Sequence, residues 1–334
     1  MTAVGSVLIT GANGTLAIPA VEYLLKNYPS YTAILIVRDA SDADPNTRRL
    51  RETISRHQEA KASIYAVDLA SLLSVHEFAT TLSESIASKR SPPLKAILCN
   101  ACYWDLVGDS ELTDEGFDKT FQINHISHVA LVLRLLDKFV PDGGRVMLFS
   151  SEAHIPGKAA LEKIPPAIPN DLDLLVHPVS HNDKQAAGFH RYGNSKLAIT
   201  SWTYAFNRYL ERDQNLKRIT AVSFNPGGLV DSRAFSKNTS LTLNLLMRFA
   251  IRPLLPLLRL QNPQMRTGAE SAVDAIELAL ENVHPGERNY FELLEKVESS
   301  PESLDETKQE KLWVQSAEWA KVNKDNTALW GAFQ

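Results

Sequence analysis

The residue types best suited to acid–base chemistry are concentrated in one stretch, Tyr192-Gly193-Asn194-Ser195-Lys196. Side chains four positions apart lie on one face of a helix, so Tyr192 and Lys196 are predicted to point into the same space. A free tyrosine has a pKa of about 10 and is a poor acid at neutral pH. A neighbouring ammonium favours the phenolate and lowers that pKa. The pair could therefore exchange a proton with a substrate oxygen, although the same spacing is also typical of an ordinary amphipathic helix face.

A second candidate site is the glycine-containing string Thr10-Gly11-Ala12-Asn13-Gly14-Thr15-Leu16-Ala17, which follows the apolar run Val7-Leu8-Ile9. Glycine lets a chain turn tightly and bring its N–H groups against a phosphate at a helix N-terminus. A glycine-rich turn also occurs in plain strand-to-helix connections. Its position between the first strand and the first helix favours a dinucleotide site.

Two cysteines and two histidines have spacings that occur in metal or redox sites, but we expect neither kind of site here. Cys99 and Cys102 are the two cysteines, and a four-ligand zinc site needs a second pair of ligands. His125 and His128 are three positions apart on a predicted helix, without an acidic or cysteine partner. We therefore predict no metal and no disulfide framework, which indicates a reducing, cytoplasmic compartment. His154, close after Ser151, is a candidate for lining the active site.

The elements that must position these residues alternate along the chain. Apolar strands are predicted at 7–9, 33–37, 64–67, 96–98, 145–149 and 219–224, with helices between them at 17–25, 45–60, 72–88, 114–139 and 191–212. This alternation predicts an α/β fold, a Rossmann-type doubly wound parallel sheet covered on both faces. Two segments interrupt it, the proline-rich 152–190 and the mostly apolar 232–262. A helix, a short strand near 289–291 and a final helix are expected over 267–322.

Composition excludes several classes of protein. The 334 residues carry 35 basic and 39 acidic side chains, a net charge of −4, and are 44% hydrophobic. The mild negative charge argues against a nucleic-acid-binding surface. The most apolar window, 241–260, contains three arginines and two prolines, so we expect no transmembrane segment. Residues 1–5 lack the charged and apolar regions of a secretory signal.

In order and context, these features resemble the short-chain dehydrogenase/reductase family. The landmarks that match it are the glycine turn, Asp68-Leu69 after the third strand, Asn100-Ala101-Cys102 after the fourth, Asn124 in the central helix, Ser150-Ser151 after the fifth strand, Tyr192 with Lys196, and Pro226-Gly227 after the sixth strand. The resemblance implies that Tyr192 protonates a carbonyl oxygen and that Ser151 hydrogen-bonds it. It also implies that Lys196 holds the nicotinamide ribose and lowers the pKa of Tyr192. Asn124 would support a water-linked proton path.

The resemblance further implies a nicotinamide cofactor that supplies hydride. Its expected contacts are Gly11, Asn13, Gly14, Leu16, Arg38, Asp68, Leu69, Asn100, Ala101, Tyr192, Lys196, Pro226 and Gly227. Arg38 precedes Asp39 at the end of the second strand, an order that favours NADPH over NAD because arginine accommodates a 2′-phosphate. A surface arginine paired with a neighbouring acid is the alternative.

The long segment between Ser151 and Tyr192 resembles the retinol-dehydrogenase-like and protochlorophyllide-reductase-like branch. We interpret residues 1–334 as one dinucleotide-binding domain in which inserts 152–190 and 232–262 form a substrate cap. The apolar cap residues would be Leu241, Leu245, Leu246, Phe249 and Ile251. They indicate a hydrophobic small-molecule substrate, although 241–260 could instead pack on the core, a partner subunit of a homodimer, or a membrane surface.

The leading functional hypothesis is an NADPH-dependent reductase that transfers hydride to the carbonyl of a bulky hydrophobic ketone, or the reverse alcohol oxidation. Thr15, Cys102 and Asp231 depart from the family pattern, which leaves Asp231 and Ser232 as alternative nicotinamide contacts. These departures also keep two alternatives open. One is redox-neutral isomerisation or cyclisation, and the other is a non-catalytic NADPH-binding regulator.

Overall fold

A computed structural model describes residues 4–333. Residues 1–3 lie outside the described residues, and they belong to the segment in which no secretory signal is expected. The strands are β1 (Gly5–Thr10), β2 (Tyr31–Val37), β3 (Lys61–Ala66), β4 (Leu94–Cys99), β5 (Arg145–Phe149), β6 (Thr220–Asn225), β7 (Gly228–Leu229), β8 (Met265–Arg266), β9 (Tyr290–Glu292) and β10 (Glu295–Lys296). Apolar, β-branched runs form the central strands, as expected for a sheet buried on both faces.

The main sheet has eight strands in the order β10-β9-β6-β5-β4-β1-β2-β3. All neighbouring pairs are parallel except β9 and β10. The strand order reverses between β1 and β4, and in such sheets ligands bind in the crevice outside the carboxyl ends of the strands at this point. The sheet therefore brings the ends of β1, β4, β5 and β6 to one edge.

Helices cover both faces of the sheet, so the expected doubly wound, single-domain fold is confirmed. They are α1 (Ala17–Asn27), α2 (Pro45–Ser55), α3 (Leu72–Ala87), α4 (Lys119–Phe121), α5 (Ser127–Arg134), α6 (Asp173–Val176), α7 (Lys184–Arg212), α8 (Leu241–Leu246), α9 (Leu255–Leu258), α10 (Gly268–Ala279) and α11 (Glu306–Trp319). Of the two large core clusters, one lies under α1, α2 and α10, and the other lies under α3, α5, α7 and α11.

Three segments differ from the predicted elements. The helix expected at 114–139 is interrupted, because a π-helical turn at Gln122–Ile126 joins α4 to α5. Helix α7 begins at Lys184 with Asp183 as its N-cap, so the end of insert 152–190 is already helical. Insert 232–262 contains a short turn at Arg233–Ser236, then α8, a second π-helical turn and α9. Over residues 4–333, no helix combines the length and the apolar character needed to cross a bilayer.

Candidate active site

Helix α7 carries Tyr192 and Lys196 on one face, as their spacing predicts. The Nζ atom of Lys196 lies 5.6 Å from the centre of the Tyr192 ring. It donates a hydrogen bond of 2.7 Å to the carbonyl oxygen of Phe149, the last residue of β5. Lys196 is only 3% exposed, so this bond partly compensates for the burial of its charge. The lysine therefore links helix α7 to β5, the strand that is followed by the two serines.

The two serines after β5 point in different directions. The Ser151 side chain lies close enough to the Tyr192 phenol to lower its pKa, and its Oγ accepts from the Ala153 N–H at 3.2 Å. Ser150 is buried, and its Oγ lies 2.7 Å from Thr200 Oγ1 and 3.4 Å from His154 Nδ1. Ser151, the residue expected from the resemblance, is thus the serine at the tyrosine.

The environment of Tyr192 raises its pKa above the ordinary value. Burial of the phenol is the main cause, and the nearby Cys102 side chain acts in the same direction, whereas the Ser151 side chain lowers the pKa. The ring packs against Trp104 at 5.4 Å and Phe189 at 5.9 Å between centroids. The lowering that we expected from Lys196 is therefore not the net effect, because burial of the phenol dominates the shift.

Asn124 lies in the π-helical turn at Gln122–Ile126 and hydrogen-bonds two other segments of the chain. Its Oδ1 accepts from the Tyr103 N–H at 2.8 Å, and its Nδ2 donates to the Tyr103 carbonyl at 2.9 Å and to Ser195 Oγ at 3.0 Å. The side chain is 2% exposed and joins the segment after β4 to α7. These contacts position Tyr192 through Ser195, which lies on the same helix. The water-linked proton path through Asn124 stays a prediction.

The glycine turn is tightly fitted against the end of β4. Gly11 has a φ of +62°, and a Cβ there would lie 2.9 Å from the Ala101 Cα. Asn100 Nδ2 donates to the Thr10 carbonyl at 3.0 Å, and the Ala101 N–H donates to Thr10 Oγ1 at 2.9 Å. A Cβ at Gly14 would lie 2.9 Å from the Gly11 carbonyl oxygen. Only glycine permits this close approach, so the turn fits a dinucleotide phosphate.

The residues expected at the adenosine end lie around the start of α2. Asn13 Nδ2 donates to Asp44 at 3.2 Å and to Thr47 at 3.0 Å. Arg38 is exposed at the end of β2, and no carboxylate oxygen of residues 4–333 lies within 4 Å of its guanidinium. Asp39 Oδ1 instead accepts from the Ser41 N–H at 2.8 Å, which lowers the pKa of Asp39.

The remaining expected cofactor contacts are Leu16, Asp68, Leu69, Pro226 and Gly227. Leu16 and Leu69 are buried in the core, at 5% and 6% exposure. Asp68 is exposed, and its carboxylate accepts from the Ala70 N–H at 2.9 Å. The Pro226 carbonyl accepts from Ser271 at 2.6 Å, and Gly227 has a φ of +84°. All follow the carboxyl ends of sheet strands and so lie along the same edge.

Asp231 and Ser232, the alternative nicotinamide contacts, both have structural partners. Asp231 Oδ1 accepts from the Gly268 N–H at 2.9 Å, at the start of α10. Ser232 Oγ accepts from the Ala234 N–H at 3.2 Å and caps the following turn. These bonds account for the departure at Asp231, because a carboxylate is stabilised at a helix N-terminus.

Three residues of the site were missed by sequence reasoning. Trp104 packs against both Tyr192 and Phe235, and Leu243 joins the same apolar cluster. Arg233 Nη2 donates to the Asn13 carbonyl at 2.5 Å. Trp104 closely follows the Asn100-Ala101-Cys102 motif, which was a usable signal, but nothing local in the sequence indicated the other two.

The apolar cap residues proposed from the sequence are mostly directed elsewhere. Leu241, Leu245, Leu246 and Phe249 are 73%, 43%, 49% and 66% exposed, whereas Leu243 packs at the site. The helical period of α8 explains the difference, since one face of so short a helix can turn inward.

The three histidines considered from the sequence, His125, His128 and His154, are buried and have structural hydrogen-bond partners. His125 Nε2 lies 2.7 Å from Ser316 Oγ, and His128 Nε2 lies 3.0 Å from Thr10 Oγ1. His154 does not line the active site, because it is buried between the Ser151 carbonyl, 2.6 Å from Nδ1, and the Ser300 N–H, 3.3 Å from Nε2. Within the described part of the chain, no cluster of three or more histidine, cysteine or acidic residues could hold a metal ion.

Comparisons with known proteins match almost the whole chain. The family model described as short chain dehydrogenase matches residues 6–161, and the AcuH dehydrogenase domain matches residues 233–329. The short-chain dehydrogenase iccH of Talaromyces variabilis is 27% identical over 97% of this chain and 98% of its own length. Retinol dehydrogenase 13 of Homo sapiens is 26% identical over 93% of this chain and 83% of its own length.

Two further matches concern a shorter part of the chain and the fold. The dehydrogenase acuH of Aspergillus aculeatus is 39% identical over 28% of this chain and 94% of its own length. The crystal structure of NADPH-bound carbonyl reductase from chicken fatty liver aligns with a TM-score of 0.57 and 18% identity. That alignment covers 90% of this chain and 95% of the carbonyl reductase chain.

Proposed function

The chain belongs to the short-chain dehydrogenase/reductase family, on its retinol-dehydrogenase-like branch, and we propose a specific reaction for it. As a member of this family it is a nicotinamide-dependent oxidoreductase that acts on carbonyl or alcohol groups. The protein is an NADPH-dependent reductase that transfers hydride to the carbonyl of a bulky hydrophobic ketone, or catalyses the reverse oxidation. The observation that carries this proposal is the convergence at Tyr192 of Lys196, whose Nζ lies 5.6 Å from the ring centre, and of the Ser151 side chain after β5.

The roles of the residues follow from their positions. When bound, the cofactor would supply hydride, with the glycine turn and Arg38 holding its phosphates and Lys196 its ribose. Ser151 donates a hydrogen bond to the substrate carbonyl oxygen, and Tyr192 delivers a proton to that oxygen as negative charge develops on it. The raised pKa of Tyr192 keeps the phenol protonated at neutral pH, which is the form that reduction requires.

A preference for NADPH over NADH is supported by the end of β2. Arg38 is exposed there, whereas the Asp39 carboxylate, which could otherwise accept a ribose hydroxyl, is hydrogen-bonded to the Ser41 backbone. An arginine fork matches the geometry of a phosphate, so Arg38 favours the cofactor that carries a 2′-phosphate.

A hydrophobic substrate is supported by the surroundings of Tyr192. Trp104 and Phe235 pack with centroids 5.3 Å apart, and the same cluster includes Leu161 and Leu243. Leu161 belongs to insert 152–190, and Leu243 belongs to insert 232–262. Both inserts of this single domain thus act as a substrate cap whose inner wall is apolar.

The test is NADPH oxidation over a panel of cyclic and aromatic ketones. Tyr192→Phe should lower kcat by about 100-fold or more, because positioned acid–base groups contribute factors of about 10² to 10⁴. Tyr209→Phe is the matched control: it lies on the same helix, but its hydroxyl bonds Glu310 on α11, and kcat should not change. Tight NADPH binding without turnover of any ketone or alcohol would contradict the proposal. That outcome would favour redox-neutral chemistry or a regulatory role.

A further inference from the structure

Arg233 connects insert 232–262 to the glycine turn. Its Nη2 donates to the Asn13 carbonyl at 2.5 Å, across 220 positions of the chain. Its backbone N–H donates to Thr15 Oγ1 at 3.1 Å. We propose that Arg233, a residue of the cap insert 232–262, binds a phosphate group of the dinucleotide. The proposal rests on the function proposed above and adds a ligand contact to it.

Among the described residues, no carboxylate forms an ion pair with the Arg233 guanidinium, since no carboxylate oxygen of residues 4–333 lies within 4 Å of it. The side chain is partly buried, and this burial lowers its pKa, while Asp44 and Arg49 are the charged groups that influence it. A guanidinium with five donors bonds an anion more strongly than a neutral carbonyl, so a desolvated arginine at this turn favours an anionic ligand.

The surroundings indicate which anion would bind there. The acceptor atom of Arg233 belongs to Asn13, within the turn whose glycines allow a phosphate to approach. The Asn13 side chain in turn bonds Asp44 and Thr47 at the start of α2, the helix that follows Arg38 and β2. Both the pyrophosphate and the 2′-phosphate of NADPH present the same oxygen chemistry to this guanidinium.

The contact would also link cofactor binding to the substrate wall. Ala234, the next residue, accepts a hydrogen bond of 2.9 Å from Trp104 Nε1. Phe235 packs on the same indole, which packs on Tyr192. A phosphate held by Arg233 would therefore fix the turn Arg233–Ser236 and, through it, one side of the substrate site.

The test compares NADPH and NADH binding by fluorescence titration of the full-length protein and its Arg233→Met variant. The Kd for NADPH should rise about tenfold or more, as expected for loss of one charge-assisted contact. A rise for NADPH alone identifies the 2′-phosphate, and an equal rise for both cofactors identifies the pyrophosphate. Both results support the proposal.

Arg252→Met is the matched control, because Arg252 lies in the same insert and donates from Nε to the Val230 carbonyl at 2.8 Å. Its cofactor affinities should equal those of the wild type. Arg233→Lys keeps the charge and should retain most of the NADPH affinity, which a purely structural bond to Asn13 would not predict. Unchanged Kd values for both cofactors in Arg233→Met would overturn the proposal. Failure of the wild type to bind either cofactor would instead refute the proposed function, and the inference with it.

Discussion

At the scale of single residues, the adjacent serines Ser150 and Ser151 provide a matched pair for testing the site. Ser151→Ala should lower kcat by about 100-fold, the usual effect of removing a donor to a developing oxyanion. Ser150→Ala should leave kcat near the wild-type value. It should lower the free energy of unfolding by about 1–3 kcal/mol, because Thr200 and His154 lose a buried partner.

Steady-state kinetics and urea unfolding of both variants check this prediction. If Ser150→Ala lost turnover while Ser151→Ala kept it, the assignment of Ser151 as the donor would be wrong. A fall in stability without a fall in kcat for Ser151→Ala would show that the hydroxyl serves only as the cap of the turn at Glu152–His154.

The residues that could be predicted from the sequence are those whose chemistry is local. Tyr192 and Lys196 share a helix, so their spacing was sufficient to predict that they lie together. The raised pKa of Tyr192 was not predictable, because it depends on burial beneath Trp104 and on the nearby Cys102, which follows a different strand. Arg233 was missed for the same reason, since its partner Asn13 is far away in the chain.

At the scale of elements, helix α8 separates an inward-facing residue from its exposed neighbours. Leu243→Ala should raise KM for bulky ketones several-fold, because it removes apolar area from the substrate wall at about 25 cal/mol per Å². The NADPH Kd should be unchanged. Leu241→Ala is the control, since Leu241 is 73% exposed and should alter neither constant.

Initial-rate kinetics with the largest and the smallest accepted ketone measure this effect. A larger KM change for the large substrate is expected. Equal effects of Leu241→Ala and Leu243→Ala would mean that α8 does not form the cap wall with its inner face.

Strand positions were predicted well, because continuous apolar runs are a strong local signal in parallel sheets. The π-helical turn at Gln122–Ile126 was not predicted. Its extra residue depends on the contacts of Asn124 with Tyr103 and Ser195, which only the folded chain brings together. The start of α7 at Lys184 was missed because prolines dominate the earlier part of the insert, although Asp183 supplies an N-cap.

At the scale of the whole molecule, the C-terminal helix α11 packs against helix α7. Trp313 on α11 stacks on Trp202 at 5.4 Å and on Tyr209 at 4.6 Å between centroids, both residues of α7. The sequence predicted a final helix but not this contact, because the faces on which two helices meet depend on how the sheet and the connecting segments place them.

The same core encloses three histidines, which gives the whole fold a defined response to acid. Burial lowers the pKa of His125 and His128 to about 3 and that of His154 to about 4. An unfolded imidazole has a pKa of about 6.5. Below pH 6.5, the unfolded chain therefore binds protons that the folded chain excludes.

The free energy of unfolding should thus be fully retained above pH 6.5 and fall as the pH drops from there toward 4, by about 1.4 kcal/mol per pH unit for each of the three imidazoles. Urea unfolding at pH 7.5 and pH 5.0 measures this loss. His125→Gln removes one of the three groups, so its stability should depend less steeply on pH even if it is less stable at pH 7.5. An equal free energy of unfolding at both pH values in the wild type would show that the three imidazoles accept protons without unfolding.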